Sequence, residues 1–195
     1  MSLTVFYTPR MVADSGSFSP SAAKPAQVVE RWLAAGLDIC VHEPGPVSID
    51  ELALAHNRSY VESVLGGLRP NGFGDCSPAV AASLPFTSGA MLAAARYALA
   101  QRTIACAPCS GFHHAAFDRP SGFCTFNGLM VTACVLRRDG ASRVGILDCD
   151  MHDGDGTDAI IERLDASSWV AHSNTGARWS WPSQAKEFLA RLPGI

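Results

Sequence analysis

Of 195 residues, 48% are hydrophobic and 17% charged, enough apolar material for a single domain with a sizeable core and too much for a disordered chain. The net charge of −3, with no block of lysines and arginines, argues against a nucleic-acid surface. No apolar run reads as long enough to cross a membrane, and the start, MSLTVFYTPRMV, lacks the basic end and long apolar stretch of a signal peptide, so a cytoplasmic protein is expected.

Leu3 to Tyr7, β-branched and aromatic, predicts a first strand. Residues 11–24, rich in Ser, Pro, Ala and Gly, read as a loop. Helical periodicity from Pro25 to Ala35 stops at Gly36, and Ser48 with Glu51 forms a capping-box pattern that opens a second helix. A Gly/Pro/Asn loop over 69–77 precedes an Ala-rich helix from Thr87 to Gln101, a strand over Arg102 to Cys106 and a polar loop over 108–125. Phe126 to Arg138 reads as an apolar helix. Arg143 to Cys149 has almost no polar alternation, the pattern of a strand covered on both faces in a parallel sheet. Thr157 is the expected N-cap of the next helix, and Ser168 to Ala171 a weaker strand. Alternating strands and helices predict one α/β domain over 1–195, three-layered, with a mostly parallel sheet flanked by helices. Ligands then bind beyond the carboxyl ends of the strands, where neighbouring strands would bring the loops after 102–106 and 143–148 to one edge.

The seven cysteines are scattered and odd in number, so buried, reduced thiols are expected rather than a disulfide framework. The one CxxC, Cys106-Ala-Pro-Cys109, continues into a loop instead of the helix a redox dithiol wants, and no second CxxC or HxxxH pair completes a zinc knuckle.

The densest chemistry lies in Asp148-Cys-Asp-Met-His-Asp-Gly-Asp-Gly-Thr157. In extended backbone Asp148, Asp150 and His152 share one face, so Asp150 and His152 can reach one cation, and a carboxylate with an imidazole suits zinc. An EF-hand is excluded, because its Gly and Glu positions hold Asp153 and Ala159. Upstream, Gly111-Phe-His-His-Ala115 offers His113 and His114 as ligands or as a proton-transfer pair. Hydrolysis at a metal needs both an acid and a base, and Asp148 and Asp155 are carboxylates that could set two imidazoles apart.

These segments, GFHHA, then Ser121-Gly-Phe-Cys-Thr-Phe-Asn127, then DCDMHDGDGT, resemble in sequence and order the signatures of the zinc-dependent histone deacetylase superfamily, which includes the acetylpolyamine amidohydrolases. His56 to Tyr60 and Asp75 to Pro78 resemble two further segments of that family. The resemblance implies the arginase/deacetylase fold and the removal of acetyl groups from lysine or polyamine substrates. It implies zinc held by Asp150 and His152, His114 as general base and acid with Asp155 as its partner, and His113 as the electrostatic member oriented by Asp148. Gly122 and Phe123 would line the acyl tunnel with Trp181 as the opposite wall, and Asp75 would hold the substrate at the rim. A monovalent cation would bind beside the loop through backbone carbonyls of Asp148 to His152.

The chain departs from the family pattern in four places. Asp153 stands where the family has a second histidine, and Val170 where it has the cation-site serine. The stretch from Ser17 to Lys24 lacks the family's H-P-E-x-P-x-R pattern. The third zinc ligand and the carbonyl-polarising tyrosine find no counterpart by residue 195. The expectation is therefore an α/β deacetylase-like domain that is incomplete at its C-terminus. Either a longer parent chain, a second chain or another copy completes its site, or the chain is a truncated, inactive piece or a non-catalytic binding or assembly module. The related two-manganese arginase pattern, D-A-H-x-D, is disfavoured because Asp150 occupies its histidine place.

Overall fold

The computed structural model describes residues 2–174 together with Lys186 and Ala190, so Trp181 lies outside the described residues. Strand β1, Leu3–Phe6, pairs in parallel with β2, Ile39–His42, and with β3, Ala105–Cys106. Strand β4, Val144–Asp148, pairs in parallel with β5, Val170–Asn174. The described strands thus form two parallel ladders, β2-β1-β3 and β4-β5, in place of one continuous sheet. Helices flank them, and the α/β class and parallel pairing agree with the sequence.

Helix α1, Lys24–Ala34, buries Pro25 and Val29, and ends before Gly36, whose φ of +71° only glycine adopts at little cost. The Ser48 capping box forms in full, yet it opens only a short α2, Ile49–Leu52. Helix α3 spans Arg58–Leu65 and buries Tyr60, Val61 and Val64.

The central helix differs most from expectation. Helix α4 runs from Pro78 to Gln101, starting nine residues before Thr87. Ser77 caps it and Pro78 occupies its first turn, where a missing N–H costs nothing. Pro85 lies inside it and reads in sequence as a break. Gly89 is required because the Gly45 backbone passes so close that a Cβ would overlap its carbonyl oxygen. By length and composition α4 could cross a membrane, contrary to the sequence expectation, but most of it is buried in the protein as a core helix. Arg102, expected to begin a strand, is the left-handed cap that ends α4 at φ +50°, which leaves β3 with two residues.

Helix α5, Gly128–Arg138, packs on α4 and on β4, while α4 also packs on β1 and β3, so one pair of helices backs both ladders. The main core joins Leu52, Tyr60, Val64, Phe126, Met130, Ile146 and Ile160. Strand β4 is not covered on both faces: Ile146 and Asp148 are buried, and Leu147 is 44% exposed. Thr157 is not an N-cap either. Helix α6, Asp155–Arg163, starts two residues earlier, behind Gly154. All described cysteines are free; Cys124 is buried, Cys106, Cys109 and Cys134 are partly buried, and Cys40, Cys76 and Cys149, against expectation, are exposed. Within the CxxC, burial pushes the Cys109 thiol up to about 12, the opposite of a reactive dithiol.

Candidate active site

The histidine segment follows β3, and its backbone is held from three sides. The His56 ring, buried beneath it, contacts the Ala116 carbonyl with Nδ1 at 3.0 Å and accepts the Asn127 N–H on Nε2 at 2.8 Å. Burial drives His56 down to about 4, against the opposing pull of the Phe117 and Ala116 carbonyls, so it is neutral and donates from Nδ1. Asn127, the N-cap of α5, sends its side-chain amide to the Ala115 carbonyl at 3.2 Å and to Thr157 Oγ1 at 3.0 Å. The Thr157 N–H in turn donates to the His113 carbonyl at 3.0 Å. Gly156 lets α6 close on this segment, since a Cβ there would stand 2.4 Å from the His114 carbonyl carbon.

This locking brings the two loops together although their strands do not pair. His113 Nδ1 lies 2.7 Å from Asp148 Oδ2, and His114 Nδ1 lies 2.7 Å from Asp155 Oδ1. The imidazole centres are 4.1 Å apart. The two pairs differ in exposure: the side chains of His113 and Asp148 are 13% and 9% exposed, those of His114 and Asp155 20% and 61%. Each carboxylate accepts a hydrogen bond from the Nδ1–H of its histidine, which leaves Nε2 as the nitrogen able to take up a proton.

Beyond Asp148 the backbone is not extended. Asp148 Oδ1 accepts the Asp150 N–H at 3.0 Å, and Asp150 Oδ1 accepts the His152 N–H at 2.8 Å, two successive side-chain-stabilised turns. Asp150 and His152 still meet, with Oδ1 and Nδ1 2.9 Å apart, and the His114 and His152 ring centres are separated by 5.9 Å. Burial raises Asp150, but the His152 hydrogen bonds and the nearby His113 outweigh it and hold the carboxyl below its ordinary range.

Ser121 to Cys124 form a tight turn closed by two backbone hydrogen bonds, with Gly122 at φ +52° and Phe123 at φ +62°. Phenylalanine in that region costs about 1–2 kcal/mol, and the turn sets Gly122 on the His114 ring and Phe123 beside Phe73 at 6.0 Å. Asp75 is bound within its own loop, accepting from the Asn71 amide at 2.7 Å and the Ser77 N–H at 2.8 Å. Among the described contacts nothing joins Asp75 to the histidine pair directly; its loop reaches the 121–127 segment through the Gly72 N–H, which donates to Thr125 Oγ1 at 2.9 Å, and through Phe73 beside Phe123.

The histone deacetylase domain model matches residues 20–175. The chain belongs to the histone deacetylase family. It is similar to a probable deacetylase of Methanothermobacter thermautotrophicus, 34% identical over 128 residues, covering 62% of this chain and 38% of the relative. It is also similar to the acetoin utilization protein AcuC of Staphylococcus aureus, 31% identical over 129 residues, covering 59% of this chain and 33% of the relative. Its fold matches the crystal structure of the HDA15 HD domain with a TM-score of 0.74 and 23% identity, over 88% of this chain and 53% of that one. The chain therefore spans about a third of the length of the curated relatives it matches.

Two features of this deacetylase-family chain escaped the sequence. Asp153, in the place of the family's second histidine, accepts from the Asn174 side-chain amide at 2.7 Å, tying the aspartate loop to β5. His172 contacts Asp158 at 2.6 Å through Nδ1. Both join residues 14 or more apart across α6 and β5, and no local pattern announces such pairs. Val170 begins β5, buried, with no side-chain oxygen for the implied monovalent cation.

The donors match part of a zinc site. The 2.9 Å between Asp150 Oδ1 and His152 Nδ1 is close to the about 3.3 Å between two donors on a tetrahedral ion with bonds of about 2.0 Å. Among the described residues no group of three or more His, Cys, Asp or Glu could hold a metal.

Proposed function

We propose that this chain carries the proton-transfer and two-ligand part of a metal-dependent amidohydrolase that removes acetyl groups from lysine side chains or polyamines. The observation that carries this reading is the pair of adjacent imidazoles, each bonded at Nδ1 by its own carboxylate at 2.7 Å. His114, with the more exposed partner, takes the proton of the attacking water on Nε2 and delivers it to the departing amine. His113, held by the buried Asp148, keeps a fixed orientation and stabilises charge beside it. Gly122 and Phe123 line the approach to His114, and Asp75 shapes the rim loop. A zinc ion held by Asp150, His152 and a donor from outside the described residues would acidify that water and polarise the acyl carbonyl.

A second reading is favoured by the metal-ligand count among the described residues: a deacetylase-like binding or assembly module, or half of a site that a second chain completes. One experiment separates them. The chain is dialysed against zinc, its metal content measured, and turnover of an acetyl-lysine peptide and of acetylspermidine followed. Zinc-dependent turnover that disappears in His114→Ala supports the hydrolase. Zinc well below one per chain with no turnover assigns the chain to the second reading.

A further inference from the structure

The loop before α1 reaches the same rim. Residues 13–22 are closed at their base by the Ala13 N–H to Ala22 carbonyl bond of 3.2 Å, and Ser21 Oγ fastens them to the histidine segment by accepting the Gly111 N–H at 3.2 Å. The loop presents Phe18, which is 91% exposed and stands edge-on to Phe123 at 5.1 Å. Phe123 adjoins Gly122, which touches His114. Phe18 thus offers an open aromatic face next to the Phe123 ring.

Next to Phe18 lies a cavity of about 470 Å3, lined by Asp14, Ser15, Ser17, Ser19 and, from α1, Gln27. Among the described residues no lysine or arginine lines it. Asp14, exposed, accepts the Gly16 N–H on Oδ1 at 2.9 Å, and among the described residues no protein donor is bonded to its Oδ2. Val12, Ala13, Pro20 and Ala23 complete an otherwise apolar wall, so the described lining sets one carboxylate, several hydroxyls and an amide against apolar surface and the Phe18 ring. An ammonium carries three donors and no acceptor, so its needs complement this lining, and the Phe18 ring adds a cation–π surface.

We propose that this cavity is a subsite for an aliphatic ammonium group, with the methylene spacer between it and the reacting amide lying over Phe18 and Phe123. The proposal rests on the amidohydrolase reading and narrows its substrate to an acyl amide that bears a second, charged amine. That amine belongs to a polyamine or to a lysine flanking an acetyl-lysine in a peptide.

Binding tests it without requiring turnover. The isotope-labelled chain is titrated with spermidine, with a short peptide pairing lysine and acetyl-lysine, and with neutral 1,4-butanediol, and amide shifts are followed. Shifts at Asp14, Ser15 and Gln27 with the charged probes and none with the diol are expected, the tighter charged probe naming the source of the amine. Asp14→Asn, an exposed near-isosteric change, weakens binding about tenfold, the scale of one charge-assisted hydrogen bond. Phe18→Ala removes the response at Phe123. Unchanged affinity in Asp14→Asn, or shifts confined to the loop 148–154, would overturn the subsite. Spermidine binding at Asp14 without zinc-dependent turnover retains the subsite and removes the hydrolase reading; turnover without such binding does the reverse.

Discussion

Gly122 rests directly on the imidazole of His114: a methyl group at that position would stand 2.4 Å from His114 Cδ2. The ring cannot yield without leaving Asp155, and Gly122 sits at φ +52°, where alanine is strained by about 1 kcal/mol or more. Gly122→Ala is therefore expected to break the His114–Asp155 bond. Loss of the downfield Nδ1 proton of His114 in the NMR spectrum, with that of His113 retained, is the expected result; both signals unchanged would show that the turn relaxes instead.

The two histidine–carboxylate pairs differ in burial, so their asparagine variants separate. Asp148 accepts from both His113 and the Asp150 N–H inside the protein. Asp148→Asn leaves those donors poorly matched and is expected to cost about 1–3 kcal/mol in urea unfolding. Asp155 is 61% exposed, and Asp155→Asn is expected to cost less than about 1 kcal/mol. Equal losses would contradict the division of roles between a fixed pair and a working pair.

His56 predicts an acid limit. Burial lowers it from 6.5 to about 4 in the folded chain, so between those values the unfolded chain binds more protons. The stability contributed by neutral His56 is fully present above about pH 6.5 and falls as pH drops toward 4, by about 3 kcal/mol in all. Urea midpoints measured between pH 7.5 and 4.5 should fall accordingly, and the fall should be shallower in His56→Gln. An equally steep fall in His56→Gln would place the titration elsewhere.

Asp153 ties the aspartate loop to β5 through Asn174. Asp153→Ala is expected to speed amide hydrogen exchange at His152 to Gly154 while changing global stability by less than about 1 kcal/mol, since the bond is exposed. A cooperative loss of protection throughout the α6 amides would mean that the bond supports far more than the loop.

The sequence disclosed which polar side chains meet better than it disclosed the frame. GFHHA and DCDMHDGDGT name residues that do meet, because each is a short run whose functional side chains are adjacent in the chain. The alternating elements gave the α/β class for the same local reason. Pro85 hid the first nine residues of α4, since a helix that keeps an interior proline is justified only by the tertiary packing around it. The apolar run at β4 promised cover on both faces, but cover depends on what lies across from Leu147, and no strand encodes its own neighbours. The Asp153–Asn174 and His172–Asp158 contacts were illegible because their spacing is set by how α6 folds back onto β5.

The two parallel ladders carry opposite halves of the site: His113 and His114 follow β3, and Asp148 ends β4. Among the described residues no strand hydrogen bond joins the ladders, and α4 with α5 acts as the splint between them. The 2.7 Å contact from His113 to Asp148 therefore spans a seam and is not a detail within one sheet. Alignment of the histidine pair in this chain is then a matter of helix packing, and a cavity-forming change at Val131 or Met130 of α5, remote from either imidazole, should loosen the pair before it unfolds the domain.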